Sequence, residues 1–441
     1  MRSDVPEDRP PLAGRRVAVI GAGYVGLPTA LALDRFGHSV MICDRDDERL
    51  SHLRRGLSPI LETGLEELLG EALHRGQFRT TPRAAEAVVG AEFVFLCVDT
   101  PPAKDGSADL SFITAVAEEI APHLERGAVV VNKSTVPLGT AELVEGLIGR
   151  GDVDVVSNPE FLREGSAVAN SLRPDRIVVG AKDLTVAQRV AALFEQTGSP
   201  VVLTDRRSSE LIKYAANAFL ATKLSFVNSL ASMCEAVGAD ARDLARGIGY
   251  DRRIGPDFLQ PGPGWGGACL PKDATALVAM AAAAGVEVDV VRAALSSNDS
   301  QRDRVVEKIR VAAGGDLRDH TVAVLGLTFK SNTDDRRNSP ATAITRKLIE
   351  RGARVRAHDP TVKAAGEAPP DLQQVTVCED PYEALAGAEV VVILTEWPLF
   401  RELDYRAVRD LVARPVVVDT RNLLDGDLLR SLGFTYFGAG H

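Results

Sequence analysis

At about 150 residues per domain, a chain of 441 residues carries a prior of two to three domains. Its 51 Lys and Arg against 61 Asp and Glu leave a net charge of −10, which argues against a protein built to coat nucleic acid or anionic membrane, since both want a basic surface. Hydrophobic residues at 45% and charged residues at 25% exclude a disordered chain, and 38 glycines and 24 prolines without a period exclude a collagen.

Residues 1–14 place acids and prolines where a signal peptide needs an apolar stretch, and are read as a mobile tail. Strands are predicted over 16–20, 39–43, 93–98, 128–132, 153–157 and 177–179, most of them continuously apolar, as parallel strands buried on both faces are. Helical periodicity between them predicts a doubly wound α/β domain over 15–206. From Ser208 to Val237 there is no glycine or proline, so one helix of about 45 Å is expected. It either separates two domains and forms a dimer spine, or is a plain core helix. With the helices flanking a Gly/Pro-rich loop at 255–267, it makes a helical middle domain over 207–313. Strands over 321–325, 354–357, 390–394 and 415–419 then predict a second α/β domain over 318–441. The longest apolar run, 276–286, is well short of the ~20 residues of a membrane span. The five cysteines, Cys43, Cys97, Cys234, Cys269 and Cys378, are scattered and lack CxxC spacing. That suits reduced thiols in a cytoplasm, with no disulfide framework and no metal site.

Gly21-Ala22-Gly23-Tyr24-Val25-Gly26 follows an apolar strand and opens a helix. The first glycine makes the turn, the second lets a pyrophosphate approach the backbone, and the third lets helix and strand pack closely. Asp44, at the end of the next strand, suits the adenosine ribose hydroxyls and repels a 2′-phosphate, which favours NAD over NADP; Arg45 beside it is the group able to accommodate that phosphate. The fold class expected is therefore α/β, with two doubly wound Rossmann-like domains joined by a long central helix and a helical middle domain.

In such sheets ligands lie beyond the carboxyl ends of the strands. Three such ends carry polar groups: Val98-Asp99-Thr100, Lys133-Ser134-Thr135 and Asn158-Pro159-Glu160. Each is also ordinary turn chemistry. On the long helix Lys213 and Asn217 are one turn apart among apolar neighbours, so the lysine is either desolvated and able to touch an oxyanion, or snorkels to solvent. In Gly264-Trp265-Gly266-Gly267-Ala268-Cys269-Leu270-Pro271-Lys272-Asp273, Pro271 fits the first helical position. Cys269 then precedes a helix N-terminus, where partial positive charge activates a thiol; the glycines before it are expected to leave room for substrate, and Asp273 to hold the lysine or a water. The bland alternative for Cys269 is a buried thiol. A nicotinamide site beside a nucleophilic thiol implies oxidation of an alcohol to an aldehyde, capture by sulfur, a second oxidation to a thioester and hydrolysis. Glu160 and Thr135 are candidates to position the water, and Lys213 and Asn217 to stabilise oxyanions.

Together these residues resemble the UDP-glucose/GDP-mannose dehydrogenase family from about position 16 to 421, through GAGYVG (21–26), KSTVPLGT (133–140), NPEFLREG (158–165), PDRIVVG (174–180), ELIKYAANAFLATKLSF (210–226), RIGPDFL (253–259), GWGGACLPKD (264–273) and FKSNTDDRRNSP (329–340). The resemblance implies oxidation of carbon 6 of a nucleotide-linked hexose to a carboxylate with two NAD. It casts Cys269 as nucleophile and Lys213, Asn217, Asp273, Glu160 and Thr135 as catalytic. It assigns cofactor contacts to Arg49, Val98, Thr100, Ser134, Thr135, Glu164, Lys272 and Arg337 beside Gly21, Gly23, Tyr24, Val25, Gly26 and Asp44. It assigns substrate contacts to Phe161, Leu162, Arg163, Glu164, Lys213, Asn217, Phe258, Gly266, Lys330, Arg337 and Arg421. Arg253 matches an arginine that reaches substrate across a dimer interface, which implies a homodimer or higher oligomer. Ala268 and Leu270 depart from the family's usual Ser and Phe, and Arg336 beside Arg337 is unusual. Ala268 and Lys272 point to the glucose branch, with UDP-glucose as substrate and dTDP-glucose or another nucleotide hexose as the alternative. The rivals are a two-electron hydroxyacid-type dehydrogenase, disfavoured by Cys269 and the third domain, and a non-catalytic NAD- or nucleotide-sugar-binding regulator, disfavoured by the retained polar set.

Overall fold

The structure, a computed structural model, describes residues 14–101, 108–363 and 372–441. The tail expected at 1–14 lies outside the described residues except for Gly14. The chain divides into two compact units, one ending at Tyr214 and the other beginning at Ala215.

In the first unit the described residues form an eight-stranded sheet. Its strands are β1 (Arg16–Ile20), β2 (Ser39–Cys43), β3 (Phe78–Thr81), β4 (Phe93–Leu96), β5 (Val129–Asn132), β6 (Asp154–Ser157), β7 (Ile177–Gly180) and β8 (Val201–Thr204). The order is β3-β2-β1-β4-β5-β6-β7-β8, and every pairing is parallel except β6 with β7. β1, β4 and β5 are apolar on both faces because helices cover both. Val17 and Val19 face the helices Gly26–Arg35 and Leu184–Ala191, while Ala18 and Ile20 face Ser111–Ile120 and Thr140–Ile148.

In the second unit the described strands are β9 (Thr321–Leu325), β10 (Arg354–His358), β11 (Thr376–Val377), β12 (Val390–Ile393), β13 (Val416–Asp419) and β14 (Thr435–Gly438), all parallel, in the order β11-β10-β9-β12-β13-β14. This repeats the order of the first six strands of the first sheet. Helices Ala241–Gly249, Leu270–Ala283 and Asp289–Ala312 make up the helical part, and Val306 and Ile309 of the last run into the core of the second sheet. The long helix spans Arg206–Val237, 32 residues or about 48 Å.

The four strands absent from the sequence reading are β3, β8, β11 and β14, and they are the four sheet edges. An edge strand is covered less completely, so its apolar run is short or interrupted: β8 is exposed over half its length, and in β3 only the two end residues are buried.

The repeat extends to atoms. Gly21 follows β1 at φ +103° and donates its N–H to Cys43 O at 2.7 Å; Gly326 follows β9 at φ +95° and donates to His358 O at 2.8 Å. A Cβ on either would run into the strand end alongside, at Cys97 or Thr395. An aspartate follows the second strand of each sheet. In the second unit Asp359, 1% exposed, accepts from the N–H groups of Leu327 (2.7 Å), Thr328 (3.0 Å) and Thr361 (3.0 Å), and from Trp397 Nε1 (3.2 Å). Removing it strands several buried donors, each costing ~1–3 kcal/mol. Asp359→Ala is therefore expected to lose about 3 kcal/mol in urea denaturation followed by tryptophan fluorescence, and an unchanged midpoint contradicts the assignment.

Candidate active site

In the first unit the glycine turn divides its labour. A Cβ at Gly26 would collide with Gly21 O, whereas nothing lies within 4 Å of one placed on Gly23. Gly26 thus serves packing, and Gly23 leaves open space at the start of the helix Gly26–Arg35. That helix has no side-chain N-cap and no acid in its first turn, so its positive end suits a pyrophosphate. Asp44 is buried and accepts from Ala22 N (2.8 Å), Asp46 N (3.0 Å) and Arg49 Nη1 (3.0 Å). Arg45 stacks on the Phe112 ring, 4.7 Å from its centroid. These residues fit a dinucleotide.

Beyond β4 and β5, Ser134 Oγ donates to Val98 O at 2.7 Å and Thr100 Oγ1 to Thr135 O at 2.8 Å, which binds the two strand ends together. Beyond β6, Glu160 is 6% exposed, and its Oε1 lies 2.8 Å from Lys213 Nζ, itself 3% exposed. Its Oε2 accepts the Leu162 N–H at 2.5 Å. Burial works to raise the Glu160 pKa, but the Lys213 charge and hydrogen bond, the Leu162 N–H and the Lys133 charge hold it below the usual carboxylate range. The lysine expected either to be desolvated or to snorkel is desolvated. Phe161 takes Arg176 over its face at 3.6 Å, with Lys213 Nζ at 5.5 Å. Arg163 turns to Asn170 Oδ1, donating from its backbone at 3.0 Å, and Glu164 is half-buried. Lys133 is a further buried cation, hydrogen-bonded to Asn158 Oδ1 at 3.2 Å; burial lowers its pKa.

In the second unit Cys269 is the N-cap residue of the helix Leu270–Ala283 and is exposed, whereas Cys43, Cys97, Cys234 and Cys378 are buried thiols. Pro271 is the second helical residue, not the first as expected. Asp273, 1% exposed, accepts from Asn217 Nδ2 at 2.6 Å and donates its N–H to Cys269 O at 2.9 Å. Lys272 Nζ lies 3.0 Å from Asp273 Oδ1, an ion pair without the angles of a hydrogen bond. One expectation is corrected. The glycines before Cys269 do not leave empty space: a Cβ on Gly266 would meet Asn338 O, and one on Gly267 the Phe329 ring at 3.0 Å. They permit close packing against the segment after β9.

The sequence reading missed what holds this loop. Trp265 donates its N–H to Asn298 Oδ1 (2.8 Å) and its Nε1–H to Ser225 Oγ (2.9 Å); Gly262 donates to Asn228 Oδ1 (2.8 Å) and accepts from Gln301 Nε2 (2.8 Å). The available signal was amides on otherwise apolar helix faces, which must find partners when buried. Arg421 bridges Leu394 O and Phe329 O, both at 2.9 Å. Lys330 Nζ lies 5.4 Å from the Phe329 ring centroid, and Arg337 grips Asp335 with Nε and Nη2, both at 2.9 Å. Arg253 is bound to Asp251 on the surface, and Phe258 adopts φ +61°.

Three sequence profiles of the UDP-glucose/GDP-mannose dehydrogenase family match in order: its NAD binding domain over residues 15–198, its central domain over 207–300 and its UDP binding domain over 323–426. The chain is 45% identical over 435 residues to a UDP-glucose 6-dehydrogenase of Rhizobium meliloti, covering 96% of this chain and 99% of that one. It is 43% identical over 440 residues to that of Pseudomonas aeruginosa, covering 96% and 97%. Among solved structures it is similar to a UDP-glucose dehydrogenase from Pyrobaculum islandicum, with a TM-score of 0.87 and 37% identity over 99% of this chain and 100% of that one.

The two glycines of the turn are separable by experiment. Gly23→Ala is expected to weaken dinucleotide binding at least tenfold in a fluorescence titration with little change in melting temperature. Gly26→Ala is expected to lower the melting temperature itself. The reverse pattern contradicts the division of labour read from the space around each.

Proposed function

The chain belongs to the UDP-glucose/GDP-mannose dehydrogenase family, and from that membership we propose that it oxidises carbon 6 of UDP-glucose to the carboxylate, a four-electron reaction. Gly21–Gly26 would hold NAD, and two NAD used in turn would supply the hydride acceptors, one for each oxidation. Residues 15–206 are read as the cofactor domain, 207–313 as the helical and dimerising middle, and 318–441 as the nucleotide-sugar domain.

The observation that carries this reading is Cys269, an exposed cysteine at the N-cap position of a helix whose N-terminus no side chain caps. The partial positive charge of a helix N-terminus favours a thiolate. Its sulfur adds to the aldehyde formed in the first oxidation, and the carbonyl becomes the hydroxyl of a thiohemiacetal. Loss of a second hydride from that carbon leaves a thioester. Attack by water breaks the C–S bond and returns the thiol and the acid. Lys213, kept cationic by an ionised Glu160, and Asn217, aimed by Asp273, are donors for the oxygen on that carbon as it gains charge. Glu160 and Thr135 hold the attacking water. Phe161, Leu162, Arg163, Glu164, Phe258, Gly266, Lys330 and Arg421 are read as substrate contacts, and Arg49, Val98, Thr100, Ser134, Lys272 and Arg337 as cofactor contacts.

We also read the protein as a cytoplasmic homodimer. Phe219, Phe226, Met233 and Val237 are all more than half exposed, and their spacing puts them on one face of the long helix. A second copy is the occupant this stripe suits, and it would bring the exposed Arg253 to a neighbour's substrate. Among the described residues no helix is long and apolar enough to cross a membrane.

The deciding experiment is NADH yield per sugar across UDP-, dTDP- and GDP-hexoses. Two NADH per UDP-glucose are expected. Cys269→Ser is expected to bind NAD but stall after the first hydride or at a slowly hydrolysing ester. One NADH per sugar, or full turnover of that variant, overturns the reading. Phe226→Asp is expected to convert dimer to monomer in light scattering, and an unchanged mass removes the helix stripe as the interface.

A further inference from the structure

Glu210 stands on the long helix one turn ahead of Lys213 and is 2% exposed. Its carboxylate reaches a different element. Oε2 accepts the Gly139 N–H at 2.6 Å and Oε1 the Ala141 N–H at 2.9 Å. These amides open the helix Thr140–Ile148, whose N-cap, Gly139, sits at φ +88° and has no side chain to cap with. The long helix therefore supplies the cap that the local sequence lacks, with a charge of the sign a helix N-terminus favours.

Only residues 133–139 separate this helix from β5, and they include Ser134 and Thr135. The β5 end of that segment is fixed by Ser134 Oγ on Val98 O (2.7 Å) and by Thr100 Oγ1 on Thr135 O (2.8 Å). The far end is fixed by Thr140 Oγ1 on Pro137 O (2.7 Å) and by Glu210. We propose that Glu210 is a positioning residue, its carboxylate locking residues 134–141 to the long helix so that Thr135 keeps a fixed place relative to Lys213 and Glu160. The proposal rests on the reading of Thr135 and Lys213 as site residues.

The lock is titratable. Burial, opposed by the N–H groups of Ala141 and Gly139, pushes the Glu210 pKa up to about 7; the Glu142 carboxylate adds to the rise and Arg206 opposes it. Those neighbours are themselves engaged: Glu142 with Arg207 at 3.3 Å, and Arg206 with Glu145 at 2.8 Å and with Val155 O at 2.8 Å. The folded pKa exceeds the ordinary 4.5, so the folded chain holds this proton more tightly than the unfolded chain between those values. The associated stability is complete below about 4.5 and is lost as pH rises through about 7. The proposed function runs the opposite way. A protonated carboxyl keeps one good acceptor oxygen, so below pH ~7 one of the two amides loses its charged partner.

The test is Glu210→Gln, which keeps the size and one acceptor but cannot ionise. At about pH 8 the variant is expected to turn over roughly tenfold more slowly, with NAD affinity within about twofold of the unmodified enzyme. Its kcat is expected to lack an inflection near pH 7 that the unmodified enzyme shows. An unchanged kcat, or the same inflection in the variant, overturns the proposal. Lys213→Ala is run alongside: if it is as active as the unmodified enzyme, the site reading itself fails, whereas a slow Lys213→Ala with a normal Glu210→Gln sinks only the clamp. If Glu210→Gln does not fold, amide hydrogen exchange of the unmodified protein decides. Protection at Gly139 and Ala141, corrected for intrinsic rates, is expected to fall between about pH 8 and pH 6, and constant protection overturns the proposal.

Discussion

A lysine ammonium and a glutamate carboxylate, 2.8 Å apart and both almost wholly withdrawn from water, tie the end of β6 to the long helix. Either ion alone at that depth would cost several kcal/mol; paired, and with Glu160 further held by the Leu162 N–H, the two are tolerated. Such a pair is weak evidence for stability, because the cost of desolvating two charges offsets most of their attraction. It also fixes protonation. Glu160 stays ionised despite burial, because the Lys213 charge and hydrogen bond, the Leu162 N–H and the Lys133 charge hold its pKa below the usual carboxylate range.

The second unit uses the same economy with different atoms. Asn217 and Asp273 share a 2.6 Å hydrogen bond, and Asp273 also anchors the first turn that Cys269 caps. The loop leading to the thiol is held by Asn228, Asn298, Gln301 and Ser225, so its shape rests on buried amides and a hydroxyl rather than on apolar packing alone. Buried networks of this kind are costly when half satisfied and rigid when complete.

How much of this was legible in the sequence follows from what each signal depends on. The interior strands could be read because a strand covered on both faces has no room for polar residues; the edge strands Phe78–Thr81, Val201–Thr204, Thr376–Val377 and Thr435–Gly438 could not, because half-covered strands tolerate them. Lys213, Asn217, Cys269 and Asp273 stood out by type and spacing. What surrounds them did not. Gly266 and Gly267 carry the same letter whether they leave space for a ligand or for Asn338 and Phe329, and only three-dimensional packing tells the two apart. Likewise Glu210 looks like one more acid on a helix until its partners prove to be amides at 2.6 and 2.9 Å from a segment about 70 residues away.

The two sheets show how one topology is turned to different ends. Both place a positive-φ glycine after the first strand and an aspartate after the second, which is what this strand order needs to bring the first loop against the neighbouring strand end. In the first unit the turn ends in an open cradle at Gly23, with an uncapped helix behind it. In the second, Trp397 Nε1 joins Leu327, Thr328 and Thr361 on Asp359, and the helix Pro340–Glu350 is capped by its own Ser339. The helix end that would receive a dinucleotide is thus taken up by the protein's own Ser339, and Trp397 adds an indole donor to the carboxylate. The repeat preserves the scaffold while closing the second copy of the cofactor site, so the second sheet is left to recognise its ligand by other groups. Arg421, held by two carbonyls at the end of β12 and the loop after β9, stands at that sheet's switch point, where an open parallel sheet receives a ligand.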